Sequence, residues 1–155
     1  VSSIEGLDEL LDELDDLEQD ILDAAAFGLA KGLKRTVGVA KALCSADSGQ
    51  LRNSITDIVE RKGDTVDGQA LATAGHAIYV EMGTGPVGQA NHQGVAPVPV
   101  TYRTTGWVYR SKKDGKFYGT KGQPARPYLY PAYKQTRKLI LSDVREAVEQ
   151  RLRER

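Results

Sequence analysis

The sequence predicts an α+β protein: a long N-terminal helix, a small, mostly antiparallel β-sheet with an aromatic hairpin, and a C-terminal helix packed on the sheet. Three observations carry this. Apolar residues recur at steps of three and four near both ends of the chain. Short β-branched and aromatic runs fill the middle, and Gly, Asp and Asn separate those runs. The 155 residues suffice for one domain with a hydrophobic core. We read a single domain, with a long helix over 1–46, a β-rich region over 50–122 holding a polar loop at 85–99, and a helix over 131–153.

Ser2 and Glu5 have the spacing of a capping box, which places a helix start there. Leu7, Leu10, Leu14, Leu17, Ile21 and Ala24 then make one stripe, with acids on the opposite face. The stripe shifts at Ala24–Ala26 and continues through Leu29, Leu33, Val37 and Ala40. Gly28, Gly32 and Gly38 each cost about 1 kcal/mol against alanine, and small residues there let another backbone approach. Asp47-Ser48-Gly49 closes the helix with turn chemistry.

Ile55 to Glu60 alternates as a strand, with Ile55, Asp57 and Val59 on one face. Lys62-Gly63-Asp64 turns the chain, and Thr65 to Thr73 holds a returning strand. Ala77 to Met82 fits either a strand or one helical turn. Gly85 to Pro99 reads as a long polar loop, a kind that is usually functional or disordered. We expect it to order only on contact with a neighbouring protein. Trp107-Val108-Tyr109 and Phe117-Tyr118 flank Lys113-Asp114-Gly115-Lys116, a hairpin signal. Pro131 opens the last helix. Its stripe is Leu139, Ile140, Val144, Ala147, Val148 and Leu152, and its basic final turn complements the helix dipole.

Apolar residues make up 40% and charged residues 27%, as in globular proteins. No apolar run is long enough to span a membrane, and the acidic N-terminus excludes a signal peptide with a basic n-region. The single cysteine, Cys44, allows no intrachain disulfide, which fits a reducing compartment. Net charge is zero but polarised. Val1 to Asp23 carries ten acids and no base, whereas Tyr102 to Lys138 carries ten bases and one acid, Asp114. Either the acidic end of one copy meets the basic face of the next, or both lie together within one chain.

No catalytic, cofactor or metal set is expected. Gly83, Gly85 and Gly88 satisfy G-x-G-x-x-G, but dinucleotide binding needs a helix right after the last glycine. Pro86 and the polar run after Gly88 argue against one. His76, His92 and Cys44 lack zinc spacing, and Cys44 on an apolar helix face reads as an inert thiol. Arg110, Lys112, Lys113 and Lys116 stand among aromatics, a pattern that can grip nucleic acid. The favoured alternative makes the aromatics cross-strand core pairs and the lysines a wet rim.

Three segments carry a resemblance. They are Ala46-Asp47-Ser48-Gly49-Gln50-Leu51-Arg52-Asn53-Ser54-Ile55, then Tyr79-Val80-Glu81-Met82-Gly83-Thr84-Gly85, then Gln123-Pro124-Ala125-Arg126-Pro127-Tyr128-Leu129-Tyr130-Pro131-Ala132. Their order and spacing resemble a family of long-tailed phage minor tail components, similar to the neck or tail-completion proteins that join head to tail. Ser48 keeps the hydroxyl of the family's usual threonine. Met82 and Tyr128 stand where phenylalanine is common.

The resemblance implies a structural virion protein, not an enzyme, assembled in the host bacterial cytoplasm. Expected partners are other copies in a ring, head-connector proteins and tail-tube or terminator proteins, with passing DNA as a contact without sequence specificity and no membrane. A tail terminator is the nearest alternative, and a nucleic-acid-binding accessory protein is the alternative from another class. The motif residues Ser48, Gly49, Leu51, Arg52, Ser54, Tyr79, Glu81, Gly83, Thr84, Gly85, Arg126, Pro127, Tyr128 and Pro131 become structural or interface positions. In that frame Ser48 and Gly49 turn the chain, Leu51 and Ile55 face the core and Arg52 does not. Glu81 serves a basic residue such as Arg126 or a neighbouring subunit.

Overall fold

The computed structural model describes residues 6–45 and 49–155. The capping box read at Ser2 and Glu5, and the hydroxyl of Ser48, lie outside the described residues. The elements are α1 (Leu7–Leu43), α2 (Gln50–Asn53), β1 (Ile55–Lys62), β2 (Thr65–Ala72), α3 (Ala77–Met82), α4 (Gly85–Ala90), β3 (Trp107–Arg110), β4 (Phe117–Thr120) and α5 (Leu129–Arg153). The α+β class stands, with a long first helix, antiparallel strands and a long last helix. The strands form two separate two-stranded sheets, β1-β2 and β3-β4, and three short helices punctuate the region read as β-rich. No helix among the described residues is long and apolar enough to cross a membrane.

The chain divides into two compact units. The first takes residues 1–35, 57–70 and 136–155. In it α5 packs on α1. A Cβ at Gly28 would lie 2.6 Å from the Asp143 carbonyl oxygen and the Val144 Cα, and one at Gly32 would lie 2.8 Å from the Ile140 Cα. The glycines thus let the two backbones meet, where the sequence had suggested a seat on the sheet. Asp143, buried at the contact, accepts two hydrogen bonds from Arg35, at 3.1 and 3.2 Å. Lys31 adds an ion pair at 3.4 Å. Further along, Arg151 and Arg155 reach Asp20 at 2.7 and 2.9 Å. The hydrogen bond from Arg151 holds the Asp20 carboxyl below its ordinary value. Arg61 of the first hairpin binds Asp23 at 2.6 Å and Gln19 at 2.7 Å. Asp20 and Asp23, the last two acids of the acidic stretch, therefore find their bases within their own unit.

The turns before them do not. Leu7, Leu10, Leu11 and Leu14 are 41–52% exposed. Burial along α1 begins only at Leu17 and deepens at Gly28, Gly32 and Leu33. Among the described residues, Asp8, Glu9, Asp12, Glu13, Asp15, Asp16 and Glu18 have no ion-pair partner.

The second unit takes residues 36–56 and 71–135. Its buried set includes Val37, Ala40, Cys44, Leu51, Ile55, Ala77, Tyr128 and Ala132. Here α4 corrects the reading of 85–99 as loop. Pro86 sits in the first turn of that helix, where a missing N–H costs nothing. Bonds within the same chain tie the helical part of this stretch to its surroundings. Val87 N–H donates to the Lys121 carbonyl at 3.2 Å and Gly88 N–H to the Thr84 carbonyl at 2.9 Å.

Candidate functional site

The motif residues that sequence singles out gather in the second unit. Gly49 takes φ 68°, in the left-handed region, and opens α2. Leu51 and Ile55 are buried while Arg52 is exposed, as their positions suggested. The Arg52 guanidinium turns back to the Cys44 carbonyl at 3.3 Å. The Ser54 hydroxyl donates to the Leu51 carbonyl at 2.8 Å, closing the short helix.

The second and third motifs bind one another directly. Glu81 is 7% exposed, and its carboxylate accepts three backbone N–H groups. Tyr128 and Leu129 donate to Oε2 at 2.8 and 3.0 Å, and Tyr130 donates to Oε1 at 2.9 Å. These are free N–H groups at the start of α5, so Glu81 caps a helix that is remote in sequence. The sequence suggested a basic partner or a neighbouring subunit for this residue, and capping is a task that spacing could not reveal. Tyr128, 1% exposed, packs beside it. Burial, with the Glu81 charge adding to it, pushes the Tyr128 phenol up to about 12. Burial also raises the Cys44 thiol, as expected for an inert cysteine.

Residues 121–126 strap the second motif. Thr84 and Gln123 exchange backbone hydrogen bonds at 2.9 and 3.2 Å. Gln123 Nε2 donates to the Tyr79 carbonyl at 3.0 Å, and Arg126 N–H to the Val80 carbonyl at 2.8 Å. The three glycines that mimic a dinucleotide fingerprint serve this crossing. A Cβ at Gly83 would lie 2.6 Å from the Ala125 nitrogen, one at Gly85 2.6 Å from the Lys121 carbonyl oxygen, and one at Gly88 2.7 Å from the Gly83 carbonyl carbon. Backbone against backbone leaves no room for a phosphate there. Pro127 precedes the buried Tyr128, and Pro131 lies in the first turn of α5.

Next to the strap lies an open groove of about 1160 Å³. Tyr79, Met82, Val98, Val100, Tyr102 and Trp107 line much of it, with Ile78 and Arg103 at its surface. Ile78, Tyr79 and Val98 are more than half exposed. The Tyr102 hydroxyl donates to the Met82 carbonyl at 2.8 Å, and Arg103 lies 5.5 Å over the Trp107 ring. Nothing in the sequence marked this groove, because its walls come from segments far apart in the chain.

The β3-β4 hairpin adjoins it through Trp107 and Tyr109. Tyr109 pairs with Tyr118 across the strands, ring centroids 6.1 Å apart. These rings are cross-strand neighbours but not core, since Tyr109, Tyr118 and Phe117 are 43–73% exposed. Asp114, at the tip, is held by the Tyr118 hydroxyl at 2.6 Å. That bond lowers the Asp114 carboxyl and raises the Tyr118 phenol. Arg110, Lys112, Lys113 and Lys116 stay exposed.

Cys44 is buried, whereas His76 borders the groove and His92 Nδ1 meets the Gln89 carbonyl at 2.6 Å. Among the described residues, no group of three or more His, Cys, Asp or Glu could hold a metal ion. What the second unit offers is surface, an apolar groove beside a basic hairpin on a backbone-clamped frame.

A protein-family model described as "Bacteriophage HK97-gp10, putative tail-component" matches residues 3–83, from the first helix to the second motif. No curated protein and no solved structure matches the chain.

Proposed function

The chain belongs to the HK97-gp10-like family of bacteriophage tail components, and from that premise we propose that it is a structural subunit of the neck or tail-completion complex, joining the head connector to the tail. The family match over residues 3–83 carries this reading. The exposed leucines of α1 and the open groove support it, because large uncovered apolar surfaces mark interaction sites. On this reading the protein is not an enzyme. Copies pack around the virion axis in a closed, heterologous ring, with head-connector and tail-tube or terminator proteins as neighbours and assembly in the host cytoplasm.

The test is electron microscopy of lysates from a phage with an early stop codon in this gene. Filled heads lying apart from complete tails are expected. Overlong or absent tails would favour a tail terminator, and normal infectious particles would sink both.

A second reading draws on the exposed hairpin, where four bases stand beside uncovered aromatic rings. Such a surface grips nucleic acid through phosphates and stacking. It requires DNA affinity that falls steeply with salt; no binding at low salt would remove it.

A further inference from the structure

Two surfaces of this chain are left uncovered, and their chemistries are opposite. The first is the N-terminal third of α1. Leu7, Leu10, Leu11 and Leu14 follow the i, i+3, i+4, i+7 pattern of a helix that lays one face into a groove. Around them stand Asp8, Glu9, Asp12, Glu13, Asp15, Asp16 and Glu18, with no base and, among the described residues, no ion-pair partner. The second is the groove of the other unit. Arg103 borders it, and the hairpin that supplies its Trp107 and Tyr109 also carries Arg110, Lys112, Lys113 and Lys116. Between His76 and Arg126 the only acids are Glu81, engaged in capping, and Asp114, engaged with Tyr118.

We propose that the acidic leucine helix of one copy docks in the apolar groove beside the basic hairpin of the next. Size supports a helix as occupant. The groove, at about 1160 Å³, exceeds the usual range for small-molecule pockets, about 300–1,000 Å³. Leu7 to Leu14 spans two turns, roughly 11 Å of helix. Charge selects the pairing. Two leucine stripes packed on each other would bring fourteen carboxylates together with no base, whereas the groove has Arg103 in its lining and shares Trp107 and Tyr109 with a basic hairpin. The contact joins two different surfaces, so it propagates head to tail and closes into a ring or runs into a filament. It deepens the ring reading above, yet its test needs no virion.

Two variants separate the surfaces. Leu10→Asp spoils the helix face and Ile78→Asp spoils the groove; both residues are more than half exposed, so the fold is retained, which circular dichroism checks. In analytical ultracentrifugation at low salt, the wild-type chain is expected to self-associate, less so as salt rises. Each variant alone is expected to associate roughly tenfold or more weakly. Mixed together, they are expected to form a dimer and stop there, because one intact helix meets one intact groove. A monomeric wild type, a variant that still assembles, or a mixture that stays monomeric would overturn the docking. If docking fails while the stop-codon phage still yields separate heads and tails, only this interface falls. If docking holds and virions form normally, the neck assignment falls instead.

Discussion

A single carboxylate ties together two motifs nearly fifty residues apart. Glu81 receives the N–H groups of Tyr128, Leu129 and Tyr130 in a site that is almost closed to water. A charged acceptor there satisfies donors that would otherwise be buried unpaired, and it meets the positive end of the α5 dipole. Glu81→Gln keeps one acceptor oxygen but turns an amide N–H₂ toward N–H groups. It is expected to destabilise the protein by about 1–3 kcal/mol in urea unfolding. An unchanged midpoint would mean that water replaces the carboxylate. The sequence marked Glu81 as a position of interest through its motif but did not reveal its capping task. A cap contributed from a distant segment leaves no trace in local spacing, unlike the capping boxes read within one helix.

The glycines of α1 look alike in sequence and differ in what surrounds them. Gly28 and Gly32 face the backbone of α5 at distances no Cβ tolerates, whereas Gly38 has nothing within 4 Å. Helix propensity alone favours alanine at each by about 1 kcal/mol. At Gly38 that gain is expected to appear in full as a higher melting temperature. At Gly28 or Gly32 the added methyl must push α5 away, and a net loss of roughly 1–3 kcal/mol is expected. Equal effects at all three would show that α1 and α5 do not pack this closely in solution. Element types were mostly legible, since periodicity and turn residues gave α1, both hairpins and α5. Helix α4 was missed because Pro86 reads as a breaker everywhere except in a first turn, and sequence alone did not place the helix start at Gly85.

At the scale of the molecule, stability and assembly occupy different parts of the chain. The buried residues of α1 begin near Gly28, and the ion pairs of its acidic stretch begin at Asp20. The turns from Leu7 to Leu14 bury little and pair with nothing among the described residues. Deleting the chain through Leu14 is therefore expected to change unfolding free energy by less than about 1 kcal/mol while abolishing self-association. A large loss of stability would mean that these turns belong to the fold of the lone subunit.

Sequence by itself determined the α+β class, the two long helices and their apolar stripes, the hairpin turns, the polarised charge and the phage tail family, because each is written in local period, turn chemistry or motif order. Only tertiary structure decided that α5 lies on α1 through glycines, that Glu81 caps a distant helix, that a glycine triplet serves a backbone crossing, and that the leucine stripe is uncovered at its start. Each of these depends on which remote segments meet, and a periodic pattern states that a face is apolar without stating what covers it.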